Sequence, residues 1–205
     1  ELARQGKTPL FFGLDDRLLG IIAVADVIKE DSPQAVRELR NMGIRVVMLT
    51  GDNQKTAQIV AGELGIDRLF AGLLPEDKVN RVKELIEQKT QKKGSLVYVG
   101  DGINDSPVLA CADVGVAMGA LGSDAAIEAA DVVIMDDKPE RLIDAIKISR
   151  STMAVVWQNV VLSLGIKIAI MVLGTLGVTG MWLAVFGDVG VTFFAVLNAM
   201  RILRK

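Results

Sequence analysis

Two apolar stretches near the C-terminus constrain this chain more than any other feature. Residues 154–177 contain a single charge, Lys167, and residues 181–200 contain a single charge, Asp188. About 20 apolar residues cross the hydrocarbon core of a bilayer as a helix, so each stretch predicts a transmembrane helix. Only Val178-Thr179-Gly180 lies between them, which predicts a tight turn and an antiparallel hairpin. Lys138, Arg141, Lys147 and Arg150 precede the pair, and Arg201, Arg204 and Lys205 follow it. Basic flanks stay in the cytoplasm, so both ends of the hairpin are expected there, with the turn on the far side. The apolar segments lie at the wrong end for a signal peptide. The expectation is a multi-pass protein in membrane lipid, the plasma membrane or a bacterial inner membrane.

Each span carries one ionisable group. Lys167 lies ten residues before Gly177, about 15 Å from the turn, and Asp188 lies seven residues after Met181, about 10 Å from it. The two charges thus share a similar depth on neighbouring helices. An isolated charge there costs roughly 2.5–3.5 kcal/mol on insertion scales, so opposite charges are expected to pair or to coordinate something. A buried ion pair that only fixes helix packing is the bland alternative. Asn159, eight residues before Lys167, is polar within the same span; alone it reads as interhelical glue.

Charge divides the chain. Residues 151–205 have a net charge of +3, whereas residues 1–150 hold 19 basic and 24 acidic residues, a net of −5. The expected domains are therefore 1–150 and 151–205. The whole-chain net of −2 and 4% aromatic content leave no basic, stacking surface for nucleic acid. One cysteine excludes a disulfide framework or a Cys-rich zinc module, and the absence of histidine excludes imidazole chemistry within this sequence. Cys111 reads as a small core residue.

The head alternates short apolar runs with amphipathic windows. Strands are predicted at 18–24, 45–49, 68–71, 96–99, 114–118 and 132–135. Helices are predicted at 33–42, 55–64, 77–89, 106–112 and 124–129, with Ser32 as an N-cap before Pro33 and Gly65 as a stop. This rhythm predicts an α/β fold, a doubly wound and mostly parallel sheet whose ligands bind at the carboxyl ends of the strands. Polar residues gather at those ends. Thr50-Gly51-Asp52 follows 45–49, Gly100-Asp101-Gly102-Ile103-Asn104-Asp105 follows 96–99, and Pro75-Glu76-Asp77-Lys78 opens a helix between them. A hydroxyl and glycine amides suit phosphate oxygens, lysine supplies positive charge, and clustered carboxylates are hard ligands that favour Mg²⁺. Asp26 reads either as a cap or as a member of the same site. Gly6-Lys7-Thr8 looks like a P-loop fragment but lacks the glycine five residues upstream.

Thr50-Gly51-Asp52, then Pro75-x-x-Lys78, then Gly100-Asp101-Gly102-Ile103-Asn104-Asp105-Ser106-Pro107, then an apolar hairpin, resembles the C-terminal portion of a P-type ATPase. The resemblance covers essentially the whole chain. It implies a haloacid-dehalogenase-like Rossmannoid phosphorylation domain, with a return from the nucleotide-binding domain near 1–12. It further implies that Asp101 ligates Mg²⁺ with Asp105 and Asn104 supporting, and that Thr50 and Gly51 bind phosphoryl oxygens. Lys78 would neutralise them, Gly100 and Gly102 would shape the acidic turn, and Asp26 and Asp52 would sit at the hinge towards bound ATP. In the tail, Asn159, Lys167 and Asp188-x-Gly190 are similar to the last two helices of zinc, cadmium and lead exporters. Copper pumps carry Asn-Tyr and Met/Ser signatures at these helices. Carboxylate also suits a borderline divalent ion better than soft Cu⁺. Asp188 is then a ligand of transported Zn²⁺, Cd²⁺ or Pb²⁺ and Lys167 its counter-ion, with Asn159 a further candidate.

The phosphorylated aspartate, the dephosphorylation motif and the Cys-Pro-Cys site of the family do not occur in this sequence. The expected partners are accordingly upstream parts of the same pump: the actuator, the nucleotide-binding domain and the first transmembrane helices. A copper or other cation pump is the nearest alternative. A membrane-tethered haloacid-dehalogenase phosphatase would need its own Asp-x-Asp nucleophile, and Asp15-Asp16 and Asp136-Asp137 are not that motif. A non-catalytic membrane module gives no chemical reason to hold both polar constellations.

Overall fold

A computed structural model describes residues 8–14, 17–24, 27–66, 68–89, 94–100, 105–119, 124–177 and 180–204. The chain forms two compact units, Glu1–Ile143 and Asp144–Lys205.

The first unit opens with strands β1 (Thr8–Leu14) and β2 (Arg17–Val24), paired antiparallel from Thr8 opposite Val24 to Leu14 opposite Arg17. This corrects the expectation that 18–24 joins a parallel sheet. Two intervening residues suffice for a hairpin, whereas a parallel neighbour needs a crossover of a dozen or more. The apolar residues of β2 are exposed along its whole length. The remaining strands are parallel, as expected for a βα alternation. Strand β3 (Val47–Leu49) pairs with β4 (Arg68–Phe70), and β6 (Val114–Met118) lies between β5 (Val97–Gly100) and β7 (Val132–Ile134). Among the described residues these make two separate ladders, not one continuous sheet.

Helix α1 (Ser32–Asn41) begins one residue before the sequence expectation. Asp31 is its N-cap and its carbonyl accepts the Ala35 N–H at 2.9 Å, so Ser32 and Pro33 already lie in the first turn. Helix α2 (Gln54–Leu64) is capped by Asn53, whose Oδ1 accepts the Lys55 and Thr56 N–H groups at 3.1 and 3.0 Å. Gly65 ends it at φ 70°, the left-handed conformation that glycine adopts without steric cost. Helix α3 (Pro75–Glu87) starts at proline, which has no N–H to leave unpaired, and Asp77 Oδ2 accepts the Leu74 N–H at 3.0 Å. Helices α4 (Ser106–Leu109) and α5 (Asp124–Ala129) are short. The first stops before the expected residue 112, and the chain turns at once into β6.

Early in β6 the strand passes the end of α4 closely enough to require glycine. A Cβ on Gly115 would lie 2.6 Å from the Leu109 carbonyl oxygen. Beneath it Val82, Tyr98, Val108, Leu109 and Ala117 form one buried cluster, and Leu49, Val79 and Ile86 pack against it. The two ladders therefore share a core through α3, even though among the described residues no strand hydrogen bond joins them.

The second unit is helical. Helix α6 (Glu140–Thr175) and helix α7 (Met181–Ala199) are both long and apolar enough to cross a membrane. The first begins well before the expected residue 154, because residues 141–153 contain neither glycine nor proline to stop it. Gly177 has φ 72° and Gly180 caps α7; Val178 and Thr179 lie outside the described residues. Gly187 of α7 faces the Ile170 side chain of α6, whose Cδ1 would have to move to admit a Cβ, and small residues of this kind let apolar helices approach closely. Gly115→Ala should destabilise the first unit by about 1–3 kcal/mol, since the clash is with backbone and not with a flexible side-chain end. Thermal unfolding of the variant at the parental midpoint would show that the turn can relax.

Candidate functional site

The first constellation is built at the carboxyl ends of β3 and β5. The chain leaves β3 at Thr50, whose N–H donates to the Phe70 carbonyl at 3.0 Å and whose carbonyl accepts the Leu73 N–H at 3.1 Å. The Gly72 N–H donates to the Asp52 carbonyl at 2.8 Å. The Thr50-Gly51-Asp52 turn is thus stitched by main-chain bonds to the loop that leads into α3. A Cβ on Gly51 would lie 3.3 Å from the Leu73 carbonyl oxygen, a tight contact that this glycine avoids. Thr50 Oγ1 donates to Asp52 Oδ2 at 2.8 Å and accepts the Asp52 N–H at 3.1 Å. This fixes the hydroxyl rotamer beside the N-terminus of α2, whose dipole favours anions.

From the same loop α3 projects Lys78, and its Nζ donates to Asp105 Oδ1 at 2.8 Å. The two side chains are only 17% and 13% exposed, so the pair is largely shielded from water. Gly100 makes the approach of Asp105 feasible. A Cβ there would sit 3.0 Å from Asp105 Cβ and Oδ2 and 3.1 Å from Tyr98. The structure therefore brings together Thr50, Gly51 and Asp52 on one side, and Lys78, Gly100 and Asp105 on the other, with the 72–78 segment joining them. Asp26, Asp101, Gly102 and Asn104 lie outside the described residues, as do Asp15 and Asp16.

The opposite end of α3 is also held by charge. Asp113 Oδ2 accepts the Leu96 N–H at 2.7 Å and Lys89 Nζ at 2.5 Å. These two bonds, the backbone one first, hold the Asp113 carboxyl below its ordinary value of 3.8. Sequence reading singles out neither Asp113 nor the Gly72-Leu73 segment, because a lone carboxylate and a short apolar loop carry no pattern; a glycine two residues before the Leu74-Pro75 helix start is the only hint.

The second constellation lies in the helical unit. Lys167 Nζ stands 2.8 Å from Asp188 Oδ1, and the side chains are 59% and 66% exposed. Asn159 does not join them. Its Nδ2 donates to the Ala195 carbonyl at 3.1 Å and its Oδ1 accepts from Asn198 Nδ2 at 2.9 Å, so both ends of the amide are engaged. Asn198, like Asn159, is a polar residue in an apolar span, but it belongs to no motif and sequence reading does not single it out.

Comparison with known proteins decides the family. Residues 1–113 match the family described as haloacid dehalogenase-like hydrolase. The chain belongs to that family. The chain is also 52% identical over 198 residues to the cadmium, zinc and cobalt-transporting ATPase of Bacillus subtilis strain 168. That match covers 96% of this chain and 28% of the relative. It is 52% identical over 196 residues to the zinc-transporting ATPase of Synechocystis sp. PCC 6803, covering 95% of this chain and 27% of that one. A crystal structure of a zinc-transporting PIB-type ATPase in an E2.Pi state superposes with a TM-score of 0.87 at 42% identity, over 98% of this chain and 32% of that one. The resemblance to zinc- and cadmium-type P-type ATPases is borne out by these relatives, as is a haloacid-dehalogenase-like domain followed by two long apolar helices. The chain spans a little over a quarter of the length of the curated relatives.

The Asp113 clamp yields a pH signature. A carboxyl depressed in the folded state adds stability above its ordinary range and loses that contribution as pH falls through its folded value. Asp113→Asn should therefore unfold at a lower temperature than the parent at neutral pH, and the gap should narrow as pH drops below 3.8. A gap that stays constant across that range would remove Asp113 from the acid response.

Proposed function

We propose that this chain forms the phosphoryl-handling and cation-handling part of a pump that uses ATP to export Zn²⁺, with Cd²⁺ and Pb²⁺ as further cargo. The reading is carried by the coincidence in one chain of a shielded Lys78–Asp105 pair at a βα phosphate cradle and a Lys167–Asp188 pair between two apolar helices. Residues 1–150 would act as the phosphorylation domain and 151–205 as the membrane hairpin, with both ends of the segment in the cytoplasm of a plasma or bacterial inner membrane. The remaining partners would be the actuator, the nucleotide-binding domain and the earlier transmembrane helices.

In the head, the γ-phosphoryl of ATP would pass to an aspartate carboxylate outside this sequence. The bond from phosphorus to the ADP oxygen breaks as the new acyl phosphate forms, and water later releases phosphate. Little covalent work falls to the protein, so positioning and charge neutralisation dominate. Thr50 and Gly51 would hold phosphoryl oxygens through hydroxyl and amide donors. Lys78 would place its ammonium against the same oxygens while still tied to Asp105, and Asp26 and Asp52 would lie at the hinge towards the nucleotide. Mg²⁺ fits this donor set. Asp105 Oδ2 packs closely against Gly100, and the Oγ of Ser106, the next residue in sequence, is buried without a partner among the described residues, a free hard oxygen donor beside the acidic turn. Asp101 and Asp105 would hold the ion, with Asn104, Gly100 and Gly102 shaping the turn; when bound it supplies neutralisation of phosphate charge.

In the tail, Asp188 would ligate the travelling dication. Lys167 would neutralise Asp188 when no metal is bound and then favour metal release, because a tethered ammonium competes for the same carboxylate. A copper or other cation pump is the second reading; the carboxylate in place of soft sulfur ligands disfavours it.

The test is ATP hydrolysis by the intact reconstituted protein across Zn²⁺, Cd²⁺, Pb²⁺, Cu⁺ and Ca²⁺. Stimulation by the first three is expected, with Asp188→Ala abolishing it. An Asp188→Ala protein with undiminished zinc response would remove the proposed ligand. Lys167→Ala should lower metal-stimulated turnover or loosen metal binding, and unchanged transport would sink its counter-ion role. Lys78→Ala should lower turnover by 10²-fold or more if its charge is needed in the transition state, about what loss of one preorganised donor costs.

A further inference from the structure

One polar feature of the helical unit is used by neither reading. Asn198 Nδ2 donates to Asn159 Oδ1 at 2.9 Å and to Gln158 Oε1 at 3.3 Å. Asn159 Nδ2 donates to the Ala195 carbonyl at 3.1 Å, and Arg201 Nη1 donates to Asn198 Oδ1 at 3.0 Å. Three of these bonds cross between α6 and α7, and the two asparagines are half-buried. An interhelical amide pair of this kind fixes the rotation of each helix as well as its height, because a carboxamide has its donor and acceptor at set angles.

Helical geometry links this rung to the ion pair. Lys167 lies eight residues from Asn159 towards the turn, and Asp188 lies ten residues from Asn198 towards the turn. The corresponding rises are about 12 Å and 15 Å. At 3.6 residues per turn, eight residues leave a net rotation of about 80°, and ten leave about 80° in the opposite sense. On two helices that face each other, those opposite rotations carry both side chains to the same flank. Exposure agrees with this placement: the amides are half-buried between the helices, whereas Lys167 and Asp188 are more than half exposed and still 2.8 Å apart. Asn159, Ser163 and Lys167, at i, i+4 and i+8, line one shallow, open depression along α6 and trace the same drift.

We propose that Asn198 is a positioning residue for the cation site: through Asn159 it sets the mutual rotation of α6 and α7 that brings Asp188 and Lys167 to one flank. The proposal rests on the reading of Asp188 as a metal ligand. Asn198 itself touches no metal; its effect on the metal passes through Asp188.

The experiment uses the intact protein reconstituted in lipid vesicles, with Zn²⁺-stimulated ATP hydrolysis measured for the parent, N198A, N198S and N198Q. Loss of the rung should raise the half-saturating Zn²⁺ by about tenfold in N198A, the upper range for an interhelical hydrogen bond, with kcat within about twofold of the parent. N198S, whose hydroxyl is too short to span to Asn159, should give the same shift where N198A fails to insert. N198Q, which keeps both amide functions, should recover most of the affinity. A parental half-saturation in N198A or N198S, or a fall in kcat with half-saturation unchanged, would overturn the proposal alone. Failure of both variants to insert would mark Asn198 as a folding determinant and overturn it too. A parent that no divalent cation stimulates would overturn both the proposal and the function it rests on.

Discussion

The ion pair between Lys78 and Asp105 is the contact on which the order of the first unit depends. Among the described residues the parallel strands fall into two ladders that share no strand hydrogen bonds, and α3 packs against the core they share. Near its N-terminus α3 is held by Lys78 to the turn after β5, and just past its C-terminus Lys89 is held to Asp113 at the start of β6. Between the two pairs Val79, Val82 and Ile86 face the buried cluster. Apolar burial supplies the energy of this packing but has no direction, so it cannot by itself fix how far α3 slides along its axis. Two charge pairs at opposite ends remove that freedom. The same stop sets the height of Lys78 relative to Thr50 and Gly51, because the loop before α3 is bonded to the Thr50 turn.

A second use of charge appears in the helical unit, and the contrast is in exposure. Lys78 and Asp105 are mostly enclosed, and removing one partner would strand the other in a poorly hydrated place. Lys167 and Asp188 are joined at the same 2.8 Å but stand open on the side of the hairpin. A pair that must hold an architecture gains from enclosure. On the proposed reading the second pair exchanges one member for an arriving ion, and it is held by a contact between two helices and not by a packed core.

Groups that make chemistry were legible in the sequence, and groups that place them were not. Thr50-Gly51-Asp52, Lys78 and the acidic turn ending at Asp105 stand out because polar residues after apolar strand runs are conspicuous. Helices α2, α3 and α5 were legible from caps and periodicity, with Gly65 as a stop for a conformational reason. The pairing of 18–24 is not legible because a continuous apolar run is the usual mark of a parallel strand covered on both faces, and here it lies in an antiparallel hairpin. The start of α6 is not marked by the apolar span, because the helix runs back through charged residues that hold no glycine or proline to stop it. The loop at Gly72-Leu73 acts through its main chain, which no side-chain pattern reports. Asp113 and Asn198 act through partners 17 and 39 residues away in sequence, a distance across which spacing says nothing.

On the proposed reading, selectivity in the tail follows from charge before it follows from size. A single charge in hydrocarbon costs roughly 2.5–3.5 kcal/mol on insertion scales, so the resting site must be close to neutral, and Lys167 makes it so. A dication that takes over the carboxylate displaces the ammonium and leaves the pair with an excess of positive charge. That excess has to be met by further anionic ligands from elsewhere in the protein, and thiolates suit it for Zn²⁺ or Cd²⁺. A soft monovalent ion such as Cu⁺ gains little from Asp188 and cannot displace Lys167 at a profit in either charge or bonding. Hard dications meet the charge requirement but prefer all-oxygen shells, which a thiolate-completed site does not provide. One carboxylate with a tethered ammonium thus discriminates on both counts, provided that the helices present the two groups to the same side.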